Sequence, residues 1–238
     1  MTEHVTEEEF APILPGRGAS DYERYLRTDD LLELQKKPEE MAHRDELLFQ
    51  TVHQSSELWL KLACFEVETA TGHIRKGELA AAVRLLRRAV ECIRLITEQI
   101  HMLEHMSPWE YQEVRRALGH GSGFDSPGFN AVRRATPPLG EAFHTVLRER
   151  GLTVVELYKR GREFEELYQL GELLIEWDER IILWRAHHFK LVERVIGGEV
   201  VGTQGTPVEV LGNLVAKSRF PELWRARSEL TEQAKLED

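Results

Sequence analysis

In LLIEWDERIILWRAHHFKLVERV, Leu173 to Val195, the residues Leu173, Trp177, Ile181, Trp184, His188, Val192 and Val195 step by four, four, three, four, four and three. This is the stripe of an amphipathic α-helix, because 3.6 residues per turn brings every third or fourth side chain back to one face. The stripe is apolar except for its histidine. His187 is turned ~100° away, toward the charged flank. Of the adjacent pair, His188 is therefore the one the helix carries inward.

A second segment has the same irregularity. In LLFQTVHQSSELWLK, Leu47 to Lys61, Phe49, Val52, Ser56 and Leu60 recur at helical spacing, and His53 lies on the same side. Taken alone, either histidine reads as a hydrogen-bonded core residue. Two of them, far apart in sequence and both on apolar faces, point to a shared buried site. An apolar helical pocket with an imidazole on each wall suits a noncovalent heme: one neutral ring coordinates iron and the other stays free for substrate or bound oxygen.

The rest of the chain reads as helices. One helix is expected from Asp21 through DYERYLRTDDLLELQ, a second from about His43 to Gly72, and a long third with Leu79, Val83, Leu86, Val90, Ile93, Ile100 and Leu103 on one stripe. Ser107 and Pro108 mark a new N-terminus. LGHGSGFDSPGF, Leu118 to Phe129, is a break, followed by expected helices at 139–150, 153–168 and 169–196 and a closing stretch from Val208. No period-2 strand stands out. The expectation is all-α: one domain spanning residues 1–238, with a loose arm over about 1–20.

The bulk properties exclude several classes. The 238 residues carry a formal charge of -10, with 42% hydrophobic and 30% charged residues, as in a soluble globular protein. So acidic a chain lacks the basic footprint for nucleic acid or an anionic membrane surface. No run approaches the ~18 apolar residues of a membrane span, and the N-terminus has no signal-like apolar core. A cytoplasmic location is expected. Cys64 and Cys92 lie in helical segments without a CxxC or CxxCH motif, so they read as buried thiols in a reducing compartment.

Three rival motifs are present. HMLEH, His101 to His105, has the HxxEH spacing of inverted zinc peptidases. It closes a helix and lacks an evident third ligand. Glu98/His101 and Glu141/His144 have the ExxH spacing of di-iron bundles, with Glu57 and Glu66 as the remaining carboxylates, although neither follows a clear stripe. GTQGT, Gly202 to Thr206, lacks the lysine of a phosphate-binding loop.

Five blocks, in order, resemble the tryptophan 2,3-dioxygenase family and the wider superfamily of histidine-ligated heme enzymes acting on aromatic amino acids and indoles. They are YERYLRTDDLLELQ (Tyr22–Gln35), DELLFQTVHQSSELWLKL (Asp45–Leu62), YQEVRRALGHGSGFDS (Tyr111–Ser126), HFKLVERVIG (His188–Gly197) and GTQGT, with weaker support from FPELWRARSEL (Phe220–Leu230). The resemblance implies a helical-bundle oxygenase of tryptophan catabolism, holding one noncovalent heme b per subunit and assembled as a homotetramer, a dimer of dimers. It implies His188 as the iron ligand and His53 as the distal residue that meets the indole N–H. It places Phe49 and Tyr111 in the pocket, Arg115 on the substrate carboxylate and Thr203 at the amino-acid group. Ser122 and Gly123 correspond to the loop against the heme. Tyr22, Tyr25 and Leu26 correspond to a segment lent to a neighbouring subunit's pocket.

The chain also departs from the family pattern. Where the family reads close to GTGGSSG, this chain has GTQGTPV, with Gln204 for a glycine and Pro207 for a serine. Gly121 replaces a serine, and the middle region looks shortened around 130–170. Insertion of both oxygen atoms into tryptophan, giving N-formylkynurenine, is the leading expectation. Single-oxygen transfer to an indole or aromatic amino acid, and a non-catalytic heme sensor or carrier, remain open at this level.

Overall fold

The computed structural model describes residues 11–236, and ten α-helices make up most of that span. They are α1 (Asp21–Leu26), α2 (Thr28–Leu32), α3 (Glu46–Arg75), α4 (Leu79–Ile100), α5 (Pro108–Ala117), α6 (Pro127–Glu149), α7 (Val154–Lys159), α8 (Glu165–Ile196), α9 (Glu209–Val215) and α10 (Pro221–Leu236). The only extended pairing among the described residues is an isolated antiparallel bridge between Val201 and Pro207. The fold class is all-α, as the periodicity predicts.

The long helices α3, α4, α6 and α8 form the body: α3 packs on α4 and α6, and α4 packs on α8. Their apolar stripes meet in a main core that includes Leu60 and Val67 of α3, Leu86 and Ile93 of α4, Leu139 and Phe143 of α6, and Trp177 and Ile181 of α8. A smaller core holds Val52, Ile100, Leu103, Met106, Val114, Leu191 and Val195. The α8 stripe thus starts in the main core and ends in the small one. Trp184 touches both, and His188 follows it one turn later.

Several boundaries differ from the sequence expectation. The stretch from Asp21 divides at Arg27, whose φ of 54° is left-handed. Neither α1 nor α2 buries a residue, so no core contact holds them as one straight helix. Within the arm, residues 1–10 lie outside the described residues. Beyond them, Ile13 and Leu14 donate backbone N–H groups to Asp21, folding this segment onto α1.

Helix α6 starts at Pro127, twelve residues before the expected 139, and continues through Pro137 and Pro138. Each proline removes an N–H donor. The buried face Val132, Ala135, Leu139, Ala142 and Phe143 spans the pair and keeps the helix in place. The expected helix at 153–168 is shorter, ending at Lys159 before a 3₁₀ turn at Gly161–Glu163. The closing stretch divides into α9 and α10. Between them, fully buried Asp178 of α8 accepts the backbone N–H groups of Arg219 and Phe220 and the indole N–H of Trp224.

The start of α6 is tied to α3. Ser126 caps the helix through Phe129 N–H, and Glu57 of α3 accepts from Ser126 Oγ at 2.5 Å and Gly128 N at 2.8 Å. A Cβ on Gly128 would lie 2.7 Å from Leu60 Cβ and 2.7 Å from Glu57 Oε2. The helices meet here because glycine has no side chain. Gly128→Ala is expected to lower stability by about 1–3 kcal/mol, the usual range for overpacking. Urea unfolding checks this, with an unchanged midpoint as the contrary result.

Candidate functional site

A cavity of about 830 Å³ lies between the two cores. Helices α3, α5, α6 and α8 form its walls, and the segments around 121–124 and 202–207 line it from the loops. His53 and His188 both face it. So do Phe49, Tyr111, Arg115, Ser122, Gly123 and Thr203.

His53 is held in a defined tautomer. Its Nδ1 lies 2.7 Å from the Phe49 carbonyl one turn earlier, and a carbonyl can only accept. Nδ1 therefore carries the proton, leaving Nε2 as an acceptor. The ring stacks on Phe49 at 3.9 Å and 26°. Burial lowers the imidazole pKa, against smaller opposing effects of the Phe49 bond and the Glu57 charge. His53 retains accessible surface, but that surface opens onto the cavity.

His188 is held by a ring contact. It stacks on Trp184 at 4.9 Å and 10°, and neither ring nitrogen has a hydrogen-bond partner among the described residues. Burial, helped by the nearby His53, pushes its pKa down to about 4. The ring is therefore neutral at pH 7, the form that can donate a lone pair to a metal. His187 is exposed, with its ring edge-on to His101 at 5.0 Å, and it does not line the cavity.

Tyr111 and Arg115 lie one turn apart on α5. The Tyr111 ring is 6.2 Å from Phe49, and burial pushes its phenol pKa up, partly offset by Arg115. Arg115 Nη2 donates to the Val201 carbonyl at 2.7 Å. Its other guanidinium donors have no protein acceptor among the described residues. Ser122 caps the short turn Gly123–Asp125, and Thr203 Oγ1 donates to Gly121 O at 2.5 Å. Tyr22, Tyr25 and Leu26 stand apart on α1, exposed by 68, 78 and 47%, and their own chain does not bring them to the cavity.

Three cavity arginines were missed in the sequence: Arg133, Arg185 and Arg219. Burial lowers the pKa of both Arg185 and Arg219, and each feels a second arginine. Arg219 Nε is buried without a hydrogen-bond partner among the described residues. Arg185 precedes His188 by three residues on the same helix, a spacing that could have exposed it.

The rival metal motifs do not converge. HMLEH forms a 3₁₀ turn in which His101 Nδ1 pairs with Glu104 at 2.7 Å. His144 pairs with Glu222 and buried Glu66 pairs with Arg88, while Glu57 ties down α6. No group of three metal-binding His, Cys, Asp or Glu residues occurs among the described residues. Cys64 and Cys92 are buried and unbridged, and burial pushes the Cys64 thiol up to about 11. No helix among the described residues is long and apolar enough to cross a membrane.

The family model described as tryptophan 2,3-dioxygenase matches residues 13–140, which include Phe49, His53, Tyr111 and Arg115. The tryptophan 2,3-dioxygenase of Bacillus thuringiensis (strain Al Hakam) is 31% identical, covering 88% of this chain and 92% of its own length. That of Caulobacter vibrioides is 32% identical, over 88% of this chain and 98% of its own. That of Saccharopolyspora erythraea is 31% identical, over 88% and 92%. These alignments run over 260 positions but take in only 88% of this chain's 238 residues, so the relatives carry residues this chain lacks. The chain belongs to the tryptophan 2,3-dioxygenase family of heme-dependent oxidoreductases.

Proposed function

We propose that the chain binds heme b through His188 and inserts both atoms of dioxygen into tryptophan, opening the indole C2–C3 bond to give N-formylkynurenine. One observation carries this reading: two neutral imidazoles share a cavity, one without a hydrogen bond among the described residues and one with its proton committed to Phe49. Heme, when bound, supplies an iron centre that activates dioxygen.

The residues present fit that group. His188 has an uncommitted nitrogen on a helix braced by Trp184, and the cavity has the volume for a macrocycle with substrate beside it. Arg133, Arg185 and Arg219 give one part of the wall a positive charge suited to carboxylates. Ser122 and Gly123 belong to the loop that would lie against the ring.

The other residues define the substrate. His53 Nε2 accepts a hydrogen bond, which an indole N–H can donate. Phe49 offers an aromatic face. Arg115 retains donors for a carboxylate, beside Tyr111. Thr203 donates its proton to Gly121, so its oxygen can accept from an ammonium group. Holding the substrate at both ends fixes the indole, and this positioning is the protein's main catalytic contribution.

Oligomerisation completes the reading. Leu58, Leu62 and Phe65 form an exposed stripe on α3, and Tyr22, Tyr25 and Leu26 are exposed on α1. A homotetramer of paired dimers would cover such surfaces and carry α1 to a partner's cavity. The whole chain then acts as one all-α heme-binding domain in the cytoplasm.

Turnover of tryptophan under isotopically labelled dioxygen tests the activity. The expected product is ring-opened and contains both labelled atoms. A closed ring with one labelled atom would establish single-oxygen transfer instead. Normal heme loading without turnover of any indole would establish a sensor or carrier.

A further inference from the structure

The turn Gly202–Thr206 is closed on itself, with Gly202 N–H donating to Thr206 O at 2.8 Å and Gly205 N–H to Gly202 O at 3.0 Å. Gly205, at φ 76°, makes the reversal. The Val201–Pro207 bridge and the Val208 N to Val200 O bond of 3.1 Å fix its base. Its tip therefore projects as a unit toward the loop at 120–125.

Gln204 occupies that tip. Its amide nitrogen donates to Asp125 Oδ2 at 2.7 Å and to the His120 carbonyl at 3.1 Å. Asp125 Oδ2 also accepts Ser122 N–H at 3.1 Å, so the bond enters the turn that Ser122 caps. Thr203 makes the parallel bond to Gly121, and Arg115 reaches Val201 from the other side. Side chains thus join two loops distant in sequence at the cavity. A carboxylate acceptor makes the Asp125 bond one of the stronger kind.

We infer that Gln204 is a positioning residue for the amino-acid end of the substrate, latching the 202–206 turn to the 120–125 loop so that Thr203 and Arg115 are arranged before ligand arrives. The inference rests on the tryptophan reading above. The latch organises groups that meet a carboxylate and an ammonium, and it leaves His53 and Phe49 on α3 untouched. It therefore favours tryptophan over indole, which has the ring without the amino-acid group. Preorganisation of this kind raises affinity by removing an ordering cost at binding.

The test compares Gln204→Glu with the double variant Gln204→Glu/Asp125→Asn. Gln204→Glu removes both donated bonds and sets two carboxylates against each other. Adding Asp125→Asn restores an amide–carboxylate bond and keeps an oxygen for Ser122 N–H. Hydrogen exchange on the ligand-free protein is expected to rise in both 200–207 and 120–125 in the single variant and fall again in the double. Tryptophan affinity is expected to drop about 10-fold in the single variant and largely recover in the double, whereas indole affinity shifts by less than about twofold. Equal weakening toward both ligands, or exchange confined to one loop, would overturn the inference. Wild-type protein that binds no tryptophan overturns the functional reading and the substrate half of this one, while exchange still decides whether the latch exists.

Discussion

His188→Ala is expected to raise the dissociation constant for heme by at least about 100-fold, since loss of a partner that merely orients a metal ligand already costs about 10–100-fold. The substitution removes the one cavity imidazole with no hydrogen-bond partner among the described residues, braced only by its stack on Trp184. Its neutrality at pH 7 also leaves no proton to displace before coordination. Titrating apoprotein with hemin and following the Soret band measures the effect. His187→Ala is the matched control, because that ring packs against His101 outside the cavity, and it should bind heme as the wild type does. Equal retention by the two variants would remove His188 as the ligand. Added imidazole should partly restore binding to His188→Ala, which a collapsed cavity could not do.

The second large effect is expected at Arg115. Charge-assisted bonds contribute about 1.5–3 kcal/mol, so Arg115→Met should weaken tryptophan by about 100-fold, or about 2.7 kcal/mol. Methionine keeps the chain length and apolar contacts while removing every donor. Part of the loss would arise through the Val201 carbonyl, which Arg115 holds at 2.7 Å. Spectral titration of heme-loaded protein separates the possibilities. Tryptophan should weaken while indole and heme content stay close to wild type. Unchanged tryptophan affinity would reduce Arg115 to a tie for the 201–207 segment.

The sequence was most legible where one helix spans the molecule. On α8 the stripe from Leu173 to Val195 is apolar at every step except the histidine, and the packing follows it: main core, cavity wall, small core. A rotation of one residue about a helix axis separates His188 from His187, and that separation can be read without coordinates. The α3 stripe behaves likewise, with Val52 and Leu60 in different cores and His53 and Ser56 facing the space between them.

Legibility was poorest where local signals and burial disagree. The helix expected only from 139 begins at Pro127, because the buried face of α6 carries it across Pro137 and Pro138. The division at Arg27 has no glycine or proline to announce it. Glu57 and Glu66 looked like possible metal ligands in the sequence, and each is bound by groups from another part of the chain. No spacing rule finds such partners, because they lie 71 and 22 residues away.

By itself, the sequence determined the helical class, the inward phase of His53 and His188, and the family, because periodicity and ordered motifs are properties of the chain alone. Tertiary structure decided what those residues meet. It placed both imidazoles on one cavity, committed the His53 proton to Phe49, left His188 without a hydrogen bond among the described residues, gathered three arginines from two helices and a loop, and joined Gln204 to Asp125. Each of these is a relation between segments brought together by packing, and the energies that favour them exist only once the chain has closed around the cavity.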